Sequence, residues 1–186
     1  MEKYNNNTID KTSNIYRKIM KNYEHIGYCR NDWEKIAAIM IKRKETIAVA
    51  ESVTAGLLQF CLSLATNASK FFQGGITAFN LGQKARHLLV EPIQAETDNC
   101  VSEFTAAAMA LEVCRMFSSQ WGIGVTGYAS PVPESRNAIF CYYAIVKNQC
   151  LIKKGKISFG KKIKDLLPQQ YYTEAICTQL LRILHK

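Results

Sequence analysis

The segment Thr46-Ile47-Ala48-Val49-Ala50-Glu51-Ser52-Val53-Thr54-Ala55-Gly56-Leu57-Leu58 decides the fold. Thr46 to Ala50 is a short apolar run with β-branched members and reads as a buried strand. Thr54 to Leu64 reads as the apolar helix that follows. Ser52 then stands at the strand-to-helix corner, where unsatisfied amides and the positive end of the helix dipole favour negative charge on an oxygen or phosphate. It is the best nucleophile candidate in the chain, although Ser52 or Thr54 can also act simply as a helix cap.

Outward from this corner, strands and helices alternate. Asp32 is a plausible N-cap for a helix carrying Trp33, Ile36, Ala37, Met40 and Ile41 at helical spacing, with Lys42 to Lys44 near its C-terminal dipole. Gly74-Gly75 announces a second strand, Ile76 to Phe79, and Lys84 lies on or near the next helical turn, which Pro92 limits. Ser102 caps an Ala- and Met-rich helix reaching Phe117. Trp121 to Gly127 is a third strand, Tyr128 to Asn137 a loop, and Ala138 to Val146 with Cys150 to Phe159 a hairpin. Tyr171 to Leu184 is the last helix. This order implies a three-layer α/β/α sandwich around a mixed sheet. Ligand sites on such sheets lie at the carboxyl ends of strands, where Ser52, the segment Phe79 to Lys84 and Thr126-Gly127 would converge.

A chain of 186 residues with a hydrophobic fraction of 48% suits one well-packed domain. Its net charge of +9 is spread along the whole sequence, which argues against nucleic acid as the partner. The concentration Lys153, Lys154, Lys156, Lys161, Lys162 and Lys164 is the one feature favouring phosphate neutralisation, with Phe159 as a stacking ring. Seven cysteines without a C-x-x-C pair point to reduced, buried thiols and to no metal site. No signal core or membrane span is visible, so a cytoplasmic location and no membrane partner are expected. Residues 1–31 read as a partly helical extension, with apolar positions scattered from Ile9 to Tyr23, and 32–186 as the α/β domain.

Several separated motifs carry a family resemblance. Ala50-Glu51-Ser52-Val53-Thr54-Ala55-Gly56 resembles the A-E-S-C-T-G-G of the CinA C-terminal domain family. Ala68 to Gly75 resembles its G-x-S-x-x-F-x-G-G, and Val101-Ser102 with Ala108-Met109-Ala110 its V-S-x-x-x-A-x-x-M-A. Val125-Thr126-Gly127 matches the V-T-G that opens its glycine-rich loop. The resemblance implies a CinA C-terminal-like α/β fold and homo-oligomerisation. Active members are nicotinamide mononucleotide deamidases, amidohydrolases of pyridine nucleotide salvage that need no metal or other cofactor. Carried over by position, it places the nucleophile at Ser52 and its basic partner at Lys84. Glu51, Thr54, Ser69, Phe79, Thr126, Gly127 and Lys162 fall around a small nucleotide or amide substrate.

The departures are specific. Where the family has V-T-Y-x-x-x-x-K, this chain has Thr77-Ala78-Phe79-Asn80-Leu81-Gly82-Gln83-Lys84, which keeps an aromatic ring and loses a phenol. The pattern T-G-x-A-G-P-x-G-G becomes Thr126 to Glu134, with Ser130, Pro133 and Glu134 in place of glycines. Pro133 deletes an amide donor and Glu134 adds a charge that repels anions. Lys162 stands for the arginine of a later F-x-G-D-R motif and offers a point charge in place of a guanidinium fork. Two functions are therefore weighed: an amidohydrolase, and a catalytically silent relative that binds a ligand or partner. A Ser52, His87 and Asp98 triad can also be assembled on paper.

Overall fold

The computed structural model describes residues 30–160 and 166–185. In chain order these form α1 (Arg30–Arg43), β1 (Ile47–Glu51), α2 (Leu57–Ser63), β2 (Phe72–Thr77), α3 (Leu81–Leu88), α4 (Pro92–Thr97) and α5 (Glu103–Met116). They continue as β3 (Trp121–Tyr128), β4 (Phe140–Lys147), β5 (Cys150–Ser158) and α6 (Pro168–Leu184). The helix expected between Ile9 and Tyr23, and the extension it belongs to, lie outside the described residues apart from the start of α1.

Every residue of β1 is buried, as its unbroken apolar run requires, because the strand lies inside the sheet with a helix layer on each face. The sheet order is β2-β1-β3-β4-β5. β1 runs parallel to β2 and β3, whereas β3, β4 and β5 form an antiparallel meander. This is the expected mixed α/β/α sandwich.

The two faces differ in side-chain size. Ile47, Val49, Ile123, Val125, Tyr143 and Ile145 pack against bulky residues of α1, α2 and α6, including Trp33, Leu58 and Tyr172. The opposite face is built from small residues. Ala48 and Ala50 meet Met109 and Val113 of α5, while Ala144 and Val146 meet Ala106 and Ala110. A Cβ added at Gly122 or Gly124 would overlap the α5 backbone at Ala110 or Ala106, so the helix rests almost directly on β3. This close approach explains why α5 is rich in alanine.

Some element boundaries differ from the sequence reading for identifiable reasons. Gly74 and Gly75 lie inside β2 and do not precede it, because a side chain at Gly75 would strike the Val49 carbonyl and Gln59. Phe79 is therefore beyond the strand. α2 begins at Leu57, not Thr54, since Ala55 (φ 53°) and Gly56 (φ 98°) are left-handed. Asp32 sits in the first turn of α1, where it accepts a hydrogen bond from Lys35 Nζ at 2.7 Å. Pro92 opens α4 as well as following α3, and the Glu91 carboxylate accepts from the Ile93 and Gln94 amides. Ser102 caps α5 as expected, accepting from Thr105 N at 3.1 Å.

Among the described residues all six cysteines are free thiols, and only Cys150 is exposed. No described helix is long and apolar enough to cross a membrane.

The α5–β3 contact gives a sharp expectation. Gly124→Ala drives a methyl into the Ala106 carbonyl and the Ala110 amide, and should cost about 3 kcal/mol of unfolding free energy by overpacking. Urea denaturation measures this; a midpoint equal to that of the wild type would show that α5 does not rest on β3 as described.

Candidate active site

The corner after β1 is organised by Glu51, whose carboxylate is fully buried. One oxygen accepts from Gly56 N at 3.1 Å and Leu58 N at 3.0 Å, and the other from Gln59 N at 2.9 Å. The side chain thus supplies the anion that the first amides of α2 require, and it does so from the end of the preceding strand. Those amides are therefore not open to a ligand. Glu51 shapes the corner and does not line the cavity described below.

Ser52 is held by its own backbone. Its amide donates to Val125 O of β3 at 3.0 Å, and its carbonyl accepts from Ala55 N at 3.1 Å. The hydroxyl makes no hydrogen bond among the described residues and borders a cavity of about 560 Å³, a size ordinary for a small-molecule site. The Val53 and Thr54 amides also have no partner among the described backbone groups. Val53 lines the same cavity, so its unpartnered amide is a candidate donor for an oxyanion formed at Ser52.

Lys84 projects from α3 and is 2% exposed. Its ammonium donates to the Phe79 carbonyl at 2.8 Å. Burial pushes the group below its ordinary value, opposed in part by the neighbouring Cys100 thiol. Burial in turn raises the Cys100 thiol above its ordinary value, with Lys84 acting against the rise. A lysine in this state reaches the neutral, proton-accepting form at lower pH than a solvated one.

Ser52, Phe79, Lys84, Thr126 and Gly127 all border the one cavity. The carboxyl ends of β1, β2 and β3 do converge. Phe79 is 73% exposed and rims the opening. Thr126 Oγ1 is committed to the Cys100 carbonyl at 2.7 Å, so this threonine fixes the turn before α5. Gly127 lies against the β4 backbone, where a side chain would overlap Phe140 O and Cys141. Sequence reasoning missed Asn99, Cys100, Tyr128 and Gln169, which complete the wall. No motif marks Asn99, Cys100 or Gln169, and Tyr128, though it directly follows Gly127, reads in the sequence as the start of a loop.

The remaining sequence candidates lie elsewhere. Thr54 is buried with its hydroxyl unpartnered, outside the cavity lining. Ser69 is exposed in the short turn Ala68–Lys70, which precedes β2 at the opposite, amino end of the strands. Lys162 lies outside the described residues. His87 is exposed on α3 and neither it nor Asp98 lines the cavity, so the triad does not assemble there. Phe159 is half-buried and packs edge-on against Tyr171 with centroids 5.7 Å apart. Lys154 pairs with Glu103 at 2.9 Å and Lys156 lies over the Phe140 ring at 3.7 Å.

The loop after Tyr128 is closed upon itself. Ser135 and Asn137 amides donate to Val132 O, Arg136 N to Pro133 O and Ala138 N to Ser135 O. The amides from Ser135 to Ala138 are thus occupied within the loop, and of the segment only Ala129 and Ser130 reach the cavity. Among the described residues no cluster of three or more His, Cys, Asp or Glu side chains suits a metal.

The fold and cavity define an α/β protein with a serine and a buried lysine at the carboxyl edge of a mixed sheet. Residues 31–177 match the CinA C-terminal domain model, and the chain belongs to that family. A CinA-like protein of Synechocystis sp. is 42% identical over 96 residues, covering 52% of this chain and 23% of the relative. One from Rippkaea orientalis is 30% identical over 141 residues, covering 73% of this chain and 34% of the relative. The chain thus spans about a third or less of the length of these curated relatives. The crystal structure of a competence-damaged protein (CinA) superfamily protein from Enterobacter cloacae superposes with a TM-score of 0.77 at 23% identity. That match covers 83% of this chain and 91% of the other. At this identity the likeness speaks for the fold.

The corner geometry is testable. Glu51→Gln replaces one of the two accepting oxygens by an amide that faces backbone N–H groups, and should cost about 2 kcal/mol of stability. Chemical denaturation checks this, and an unchanged midpoint would contradict the capping role.

Proposed function

We propose that the protein is an amidohydrolase acting on the carboxamide of nicotinamide mononucleotide or a closely related amide. The observation carrying this reading is the free Ser52 hydroxyl bordering the same cavity as a buried lysine whose basicity is lowered by desolvation. In the neutral state Lys84 keeps one N–H on the Phe79 carbonyl and offers its lone pair to the cavity.

Ser52 Oγ attacks the amide carbonyl as its proton passes to Lys84 Nζ. Charge developing on the carbonyl oxygen is met by the Val53 amide. Collapse breaks the C–N bond while Lys84 returns the proton to the departing nitrogen, and ammonia leaves. Water, deprotonated by the same amine, then cleaves the ester to the free acid and restores Ser52. Family membership supports this chemistry at the level of the family only. As for other members, assembly into a homo-oligomer is part of the proposal.

A second reading has its own support: the Phe79 ring lacks a phenol and the loop amides from Ser135 to Ala138 are internally occupied, which suits a catalytically silent binding protein. Ammonia release from nicotinamide mononucleotide separates the two. Turnover is expected and should fall at least about 10³-fold in Ser52→Ala. Because a lysine base works only when neutral and burial lowers Lys84 from the ordinary 10.5, the rate should rise with pH and level off below that value. No ammonia from the wild-type protein at any pH would reject the hydrolase.

A further inference from the structure

Tyr128, at the end of β3, is the only tyrosine bordering the cavity among the described residues. Three contacts fix it. Its ring meets Phe140 edge-on with centroids 5.5 Å apart. Its carbonyl accepts from the Tyr172 hydroxyl at 2.9 Å. Its phenolic oxygen accepts from Asn99 Nδ2 at 3.2 Å.

The last contact determines what the phenol can do. A phenol is both donor and acceptor. Asn99 uses its acceptor side, and the O–H proton donates to nothing among the described residues. The proton is thus available to a group inside the cavity.

The partner of this phenol is itself held in an unusual backbone state. Asn99 and Cys100 are consecutive left-handed residues, with φ of 53° and 59°. Asparagine tolerates that region better than most residues, whereas cysteine does not. Two further bonds hold the pair in place. Cys100 N donates to Ala95 O at 2.7 Å, and Thr126 Oγ1 donates to Cys100 O at 2.7 Å. Backbone strain maintained by surrounding contacts is characteristic of functional sites. Here it turns the Asn99 amide toward Tyr128.

We infer that Tyr128 donates a hydrogen bond to the bound carboxamide, oriented by Asn99, and supplies from β3 the phenol that is absent at Phe79. The inference rests on the amidohydrolase reading and adds to it a specificity-determining residue. Tyr128 selects ligands that present an acceptor at that wall of the cavity, and Asn99 is a positioning residue acting through it.

Two variants test this in the whole 186-residue chain, with nicotinamide mononucleotide as the probe in calorimetric titration and in ammonia release. Tyr128→Phe keeps the ring against Phe140 and removes only the O–H. It should weaken binding about tenfold, lower kcat/KM about 10²-fold, and leave the melting temperature unchanged. Asn99→Gly retains the left-handed turn and removes the amide. It should lower kcat/KM in the same direction but less, with no loss of stability, which a purely structural role for Asn99 would not produce.

Wild-type Kd and kcat/KM in both variants, alongside an inactive Ser52→Ala, would overturn the role of Tyr128 and leave the amidohydrolase standing. Higher turnover in Phe79→Tyr together with an unaffected Tyr128→Phe would likewise overturn it, showing that no second phenol operates. A wild-type protein that neither binds nor hydrolyses the probe would overturn both readings.

Discussion

The buried carboxylate of Glu51 is the constraint on which the site depends. Placing a charge at zero exposure is costly unless it is met by hydrogen bonds. Here three amides at the start of α2 meet it. That arrangement fixes the distance between the end of β1 and the start of α2, so the chain must cross the gap in the tight turn Ser52 to Gly56. The left-handed residues Ala55 and Gly56 are the local consequence. Ser52 is thereby presented to the cavity while the helix amides are withdrawn from it. Of the backbone amides at this corner, those of Val53 and Thr54 are left without a backbone partner.

The asymmetric core extends this constraint to the rest of the cavity. Bulky side chains on one sheet face hold α1, α2 and α6, and the small-residue face draws α5 onto β3. Because α5 lies so close, the turn preceding it reaches the carboxyl end of β3. Thr126 then binds the Cys100 carbonyl and Asn99 meets Tyr128. On the adjoining side α3 carries Lys84 inward beneath Phe79, whose carbonyl takes the ammonium. The same desolvation lowers the basicity of Lys84 and raises the Cys100 thiol above its ordinary value, so burial disfavours charge on both neighbours.

Loss of glycines after Tyr128 has a structural counterpart. The segment around Pro133 closes into a one-turn helix whose hydrogen bonds are local, with Arg136 and Asn137 left-handed. The amides from Ser135 to Ala138 are spent within the loop and are not offered to an anion. The described part of the cavity is consequently lined by neutral polar groups, aromatic rings and one buried amine.

The sequence by itself determined the strand-turn-helix unit around Ser52, the alternation that yields a mixed sheet between two helix layers, and the helices capped by Ser102 or spaced by Ile176, Leu180 and Leu184. These follow from local periodicity and capping, which need no partner. It misplaced β2 because glycines usually punctuate, and only the packing of Gly75 against Val49 turns them into strand residues. It missed α4 because Pro92 reads equally as an end and as a beginning. Tertiary structure alone decided that Lys84 is buried, that Glu51 serves the fold while Ser52 faces the cavity, and that Asn99 and Tyr128, 29 positions apart, share a hydrogen bond. Burial and side-chain partnership are properties of the assembled layers, and no stretch of chain carries them alone.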